Sequence, residues 1–188
     1  MNKSVNRSGH PAEVTKNLPS RQPADAAEAD LLKKLRQLYS SDASQLSSDT
    51  YSFLKDDAVF HDPVGFADGK THIQEQFNGL AKIFSKSTYD KQDLLQNPEG
   101  VAPSTLLVNQ DVTYYRGDSP FKTLNSLVTL ERAGDGKVQR FQEEWNHQGE
   151  PEKTDGGFFG YISEMRKRFT VNATGAFIDP TPPQDKSS

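Results

Sequence analysis

Hydrophobic positions recur with two different periods along this chain, and the change of period divides it. Over residues 24–39, Leu31, Leu32, Leu35 and Leu38 fall at offsets i, i+1, i+4 and i+7, one stripe of a helix, with Lys33, Lys34 and Arg36 on its solvated side. Pro23 suits the first turn of that helix. A shorter helix is predicted over 48–55, capped by its serines and Asp49 and burying Tyr51 and Leu54. Residues 58–61 read as a short strand stopped by Asp62-Pro63, because the residue before a proline is pushed out of the helical region. After the Asp68-Gly69 turn, residues 71–84 carry the clearest helical pattern, with Ile73, Phe77, Leu80, Ala81 and Phe84 at offsets 0, 4, 7, 8 and 11.

Beyond Ser85 the period becomes that of strands. Segments 88–96, 104–116, 121–132 and 134–148 are predicted as strands, separated by Asn97-Pro98-Glu99-Gly100, Gly117-Asp118-Ser119-Pro120 and the Gly134-Asp135-Gly136 turn. Sequential turns make the last three an antiparallel meander. In the 104–116 strand, Leu106, Val108 and Val112 alternate with Leu107, Asn109 and Asp111, so both faces are partly apolar. One face is expected to line the core and the other to support a homodimer, since a monomer would leave an apolar patch in water. A last helix is predicted over 158–169, with Phe158, Ile162, Met165 and Phe169 as its stripe and Arg166, Lys167 and Arg168 at its C-terminal end, where cations suit the helix dipole. The order of elements is α+β: a bent antiparallel sheet wrapped around helices, a cone with an internal pocket.

Composition sets the limits of that domain. Residues 1–24 are polar, with isolated apolar positions, and read as a disordered tail dispensable for stability; residues 25–172 form the domain and 173–188 a loose, proline-rich end. Mean hydropathy is -0.78, which fits such tails. The formal charge of -4 gives no electrostatic footprint for nucleic acid. No apolar run approaches a membrane span, and the first fourteen residues lack the apolar centre of a secretory signal. The absence of cysteine fits a reducing compartment, and a cytoplasmic location is expected. His10, His61, His72 and His147 make no ligand spacing, and there is no glycine-rich phosphate loop, so neither metal nor cofactor is expected.

Candidate chemistry centres on the last strand. Phe141, Glu143 and Trp145 share one face of it, and Arg140, Gln142 and Glu144 the other. Trp145, the single tryptophan, is too large to leave in water without reason, so its face is taken as the cavity face and Glu143 goes inside with it. Burial would raise the Glu143 pKa and fit it to move protons. Glu144 is expected in solvent. His61 and Asp62 form the second candidate pair; neighbours on a strand point to opposite faces, His61 is taken as the ligand-facing member, and Asp62 is expected to tie down the turn. Of Tyr114 and Tyr115 only one can face inward.

Phe60-His61-Asp62-Pro63, Gly69 opening the following helix, and Gly136-Lys137-Val138 leading to Trp145 resemble the nuclear transport factor 2-like superfamily, and within it the SnoaL-like branch, over about residues 31–148. Phe141 departs from the pattern, standing where relatives often carry histidine. The resemblance implies a pocketed cone, a cystatin-like roll, frequently dimeric through the outer sheet face. Its members include polyketide cyclases, ketosteroid isomerases, dehydratases, epoxide hydrolases and non-enzymatic binding domains, so the fold does not fix the function. Two functions stay open. One is a cofactor-free isomerase, cyclase or dehydratase acting on a small, partly apolar carbonyl compound, with Glu143, His61 and Asp62 as its acid/base groups in a pocket of Trp145, Phe141, Tyr51, Phe60, Phe77, Leu80 and Tyr115. The other is a ligand-binding or dimerisation module without chemistry. An enzyme requires at least two titratable groups converging on one apolar cavity.

Overall fold

The computed structural model describes residues 5–40, 42–150 and 156–172; the end expected to be loose, 173–188, lies outside them. The elements are α1 (Ala12–Thr15), α2 (Ala26–Tyr39), β1 (Leu54–Asp62), β2 (Gly65–Asp68), α3 (Lys70–Ile83), β3 (Lys86–Leu94), β4 (Thr105–Arg116), β5 (Ser119–Arg132), β6 (Val138–Trp145) and α4 (Gly156–Asn172). The six strands form one open sheet in the order β2-β1-β6-β5-β4-β3. It is mixed rather than antiparallel, because β1 lies parallel to β6 while every other neighbouring pair is antiparallel. The α+β architecture expected from the pattern is therefore present, with one parallel pair that local turn signals could not reveal.

The predicted helix over 48–55 is instead a single 3₁₀ turn, Asp49–Tyr51, followed at once by β1. Pairing across the sheet overrides the local preference: the Phe53 carbonyl accepts the Val138 N–H at 2.8 Å, and Leu54 stands opposite Val138. α2 begins with the Asp25 side chain accepting the Glu28 N–H at 2.8 Å. α3 is preceded by Gly69 at φ 90°, a left-handed conformation that favours glycine. The stripes of α2 and α3 bury Leu31, Leu35, Leu38, Ile73 and Phe77 in one core with Phe60, Leu106, Val108, Val128 and Leu130 of the sheet's inner face.

The outer face holds the main departure from expectation. Residues 5–22, expected to be a disordered tail, lie across that face, so the expected start of the domain at residue 25 falls inside the packed structure. Asn6 and Thr15 are buried, the Asn6 amide donates to Thr15 Oγ1 and to the His147 carbonyl at 3.0 Å each, and the Arg7 N–H meets both Glu144 carboxylate oxygens at 2.9 Å. Further on, Arg21 N–H donates to the Leu94 carbonyl and Gln96 N–H to the Pro19 carbonyl, fastening the arm to the β3 edge. Leu18 packs with Val101 on Leu95, Leu107 and Leu127, each fully or almost fully buried. The apolar outer positions that suggested a homodimer are thus covered within one chain. The composition of the arm concealed this because its contacts are mostly polar, made to buried partners instead of through an apolar stripe.

The arm also explains the end of β6. Asn146 and His147 take left-handed φ values of 55° and 62°, which ends the strand at Trp145 and turns His147 beneath the arm. His147 is fully buried, its Nδ1 2.9 Å from Thr15 Oγ1 and its Nε2 2.9 Å from Asn109 Oδ1. Burial, with the charges of Lys16 and Lys91, pushes its pKa down to about 4. Glu144, expected in solvent, is buried here too; burial raises its pKa against the opposing Arg7 N–H and charge.

Candidate functional site

Strand pairing assembles the site. β5 and β6 place Val128 opposite Glu143 and Ser126 opposite Trp145, so Ser126 and Glu143 face the cone interior from adjacent strands. Tyr39, the last residue of α2, reaches them from above: its hydroxyl donates to Glu143 Oε2 at 2.8 Å, and the Ser126 hydroxyl donates to Oε1 at 2.8 Å. Behind Ser126 the order continues through Gln110, whose amide donates to Ser126 Oγ at 3.3 Å and whose oxygen accepts from the Tyr89 hydroxyl at 2.6 Å. Each inward polar group of the sheet centre is therefore tied to a neighbour, as buried polar groups require.

Around Glu143 lies a cavity of about 30 Å3, lined chiefly by Tyr39, Asp62, Tyr114, Trp145, Phe158 and Ile162, with Phe60, Phe77, Leu80, Val64, Gln76 and Leu124 completing the wall. That volume holds about one water molecule. Glu143 is 6% exposed. Burial, reinforced by the negative charge of Asp62, pushes its pKa up to about 7, and hydrogen bonds from Tyr39, Ser126 and Trp145 hold it from rising further. Burial and the neighbouring carboxylates raise the Tyr39 and Tyr114 phenols well above their ordinary range, so both stay protonated donors.

The expected residues divide. Glu143, Asp62, Trp145, Phe60, Phe77 and Leu80 line the cavity. His61 does not. It shares β1 with Phe60 and Asp62 but points the other way, into an outer hollow of about 280 Å3 beside Phe66 and Arg140. The pair was assigned in the wrong order: Asp62 follows Phe60 by two residues and so shares its inward face. Asp62 serves the turn as well, its Oδ1 accepting the N–H groups of Val64 and Gly65 at 2.9 and 2.7 Å while Oδ2 accepts from the Gln76 amide at 3.3 Å. Phe141 contacts Phe60 and Phe77 without lining the cavity, its ring 4.6 Å from the first and stacked at 5.8 Å on the second. Tyr51 is a core residue whose hydroxyl donates to Asn78 Oδ1 at 2.9 Å. Tyr115 faces outward under the Lys86 ammonium, and Tyr114 takes the inward place.

Tyr39, Ser126, Phe158 and Ile162 were not anticipated as site residues. Tyr39 continues the α2 stripe four residues after Leu35, so a phenol closing an apolar stripe was the available signal. Ser126 keeps step with Leu124, Val128 and Leu130, a hydroxyl at an inward position. Nothing in the sequence says that α4 closes the cone.

No family model matches the sequence, and no curated protein matches it. Solved structures do resemble the fold. A steroid delta-isomerase from Pseudomonas aeruginosa aligns over 83% of this chain and 100% of its own at 18% identity, with a TM-score of 0.55. TerC, co-crystallised with polyporic acid, aligns over 73% of this chain and 95% of its own at 14% identity, with a TM-score of 0.50. A SnoaL-like family protein from Agrobacterium tumefaciens str. C58 aligns over 64% of this chain and 98% of its own at 8% identity, with a TM-score of 0.49. The chain has an α+β fold of the nuclear transport factor 2-like kind, and at these identities the likeness speaks for the fold alone.

Proposed function

We propose that this protein binds a small, partly apolar carbonyl compound in the cone and moves a proton at the carbon next to the carbonyl, without a cofactor, as an isomerase, cyclase or dehydratase. The observation that carries the reading is Glu143: a carboxylate with a pKa of about 7, facing an apolar cavity that a second carboxylate and two phenols also line. A base with that pKa is largely ionised just above neutrality yet still strong enough to take a carbon-bound proton. Tyr39 and Ser126 fix its orientation and leave lone pairs for the substrate. Asp62 replaces His61 as the second acid/base group, and the Tyr114 phenol suits the role of hydrogen-bond donor to the oxygen on which charge develops. The isomerase among the similar structures is consistent with such chemistry.

The alternative, a ligand-binding module without chemistry, has the size of the cavity in its favour, since about 30 Å3 admits no substrate until something moves. Deuterium exchange separates the two. A panel of cyclic ketones in heavy water, followed by proton NMR, should lose signal at the carbon beside the carbonyl faster with protein than without. Glu143→Gln should abolish the excess and Glu144→Gln, if folded, should keep it. Buffer-level exchange across the panel, or equal activity in Glu143→Gln, overturns the proposal.

A further inference from the structure

The arm leaves part of the outer face uncovered. Beside it, the outward positions of four strands form a hollow of about 280 Å3. Strand register sets two rows across its floor. Val59, Arg140 and Glu131 stand side by side on β1, β6 and β5, and Phe66, His61, Gln142 and Thr129 on β2, β1, β6 and β5. With neighbouring strands about 4.8 Å apart, the longer row spans about 14 Å. Arg7 of the arm closes the β5 end, where the Glu131 carboxylate holds two guanidiniums: Arg7 Nε donates to its Oε1 at 2.8 Å, and Arg140 Nε lies 3.6 Å from its Oε2. Each guanidinium carries five N–H donors, more than one carboxylate can accept. Two positive charges against one negative leave this end of the hollow positive. Thr129 is 2% exposed, and among the described residues its hydroxyl meets no hydrogen-bond partner. A buried hydroxyl in that condition is costly unless a group it faces accepts its proton. At the other end Phe66 is 64% exposed, its ring edge-on to His61 at 6.3 Å.

We infer that this outer hollow is a second binding site, which takes a small monoanion: a carboxylate carried on a flat apolar body. The carboxylate lies at the β5 end, where Arg7 and Arg140 donate to it and the Thr129 hydroxyl gains its acceptor. Glu131 sets the charge. It positions both guanidiniums and offsets one of them, so a single negative charge is balanced, while a phosphate dianion would meet a surplus of negative charge. The body extends along the floor over Gln142 and His61 to the Phe66 ring, against which a flat ring packs. The site lies on the opposite side of the sheet from Glu143, because Gln142 and Glu143 alternate along β6. It therefore stands independently of the reading given to the cone.

In the test, 2-naphthoate is titrated calorimetrically into the full chain at neutral pH, with 2-naphthamide as the uncharged control. The carboxylate should bind at least roughly tenfold more tightly than the amide, and Arg140→Gln and Thr129→Val should each weaken it roughly tenfold. The Arg140 side chain is exposed and valine has the shape of threonine, so neither change threatens the fold. Thr129→Val should also leave the urea midpoint of the free chain unchanged or higher, since no hydrogen bond is lost. A lower midpoint would mean that the hydroxyl already has a partner, and the ground for the site would be gone. Equal affinity for carboxylate and amide, no binding of 2-naphthoate at millimolar concentration, or unaltered affinity in either variant overturns the proposal. So does an affinity lost in Glu143→Gln and kept in Arg140→Gln, which would put the ligand in the cone. Binding in the expected pattern without ketone exchange would remove the catalytic proposal and leave this one standing. Ketone exchange without naphthoate binding would do the reverse.

Discussion

Replacing Glu143 by glutamine tests the electrostatics of the site without reference to any substrate. The ordinary glutamate value is 4.5 and burial beside Asp62 pushes it to about 7 in the folded protein, so between these two values the folded state holds a proton that the unfolded state has released. Stability from this group is therefore full below about pH 4.5 and declines as pH rises to about 7, beyond which the loss is constant. At about 1.4 kcal/mol per pH unit, the ionised carboxylate costs the fold about 3 kcal/mol above neutrality. Glutamine has the shape of the protonated form and cannot ionise. The hydrogen bonds it makes differently to Tyr39 and Ser126 contribute equally at every pH, so they cancel when the effect of Glu143→Gln is compared at two pH values. Urea unfolding at about pH 5 and about pH 8, followed by the emission of the single tryptophan, Trp145, should show the variant gaining about 2–3 kcal/mol relative to the unaltered chain between the two. An effect of the substitution that stays within about 0.5 kcal/mol across that range would mean that Glu143 is not a desolvated carboxylate, and the catalytic proposal would lose its base.

Two further outcomes follow from the outer face. Deleting residues 5–22 should lower the melting temperature by well over about 4 °C, because it exposes Leu107 and Leu127 and strips partners from Glu144 and His147; an unchanged melting temperature by calorimetry would show that the arm does not pack in solution. His147, held neutral with a pKa of about 4 against an ordinary 6.5, contributes stability that is full above about pH 6.5 and is lost as pH falls towards about pH 4, about 3 kcal/mol in all. Its proton NMR titration should show no protonation down to about pH 5, and a midpoint near the ordinary value would refute its burial under the arm.

The sequence by itself determined what depends on local period. The α2 and α3 stripes, the β4–β5–β6 meander and the inward parity of Glu143 with Trp145 could all be read from spacing, because side-chain direction along a regular element follows from its geometry. It could not determine what depends on pairing between distant segments. The parallel partnership of β1 with β6 cut a predicted helix down to one 3₁₀ turn ahead of the strand, and the same alternation that placed Glu143 could have placed Asp62, given that Phe60 belonged to the core. The arm is the plainest case. Its polar composition argues against a packed segment only when its partners are assumed to be water. Tertiary structure instead supplies Glu144 and His147 as buried partners, and a polar chain lying on matched polar groups satisfies hydrogen bonds that would otherwise be lost on burial. Closure of the cone by Phe158 was hidden for a similar reason: a stripe on a helix says that the helix packs, and only the arrangement of Phe84, Tyr114, Phe121 and Trp145 says what it packs into.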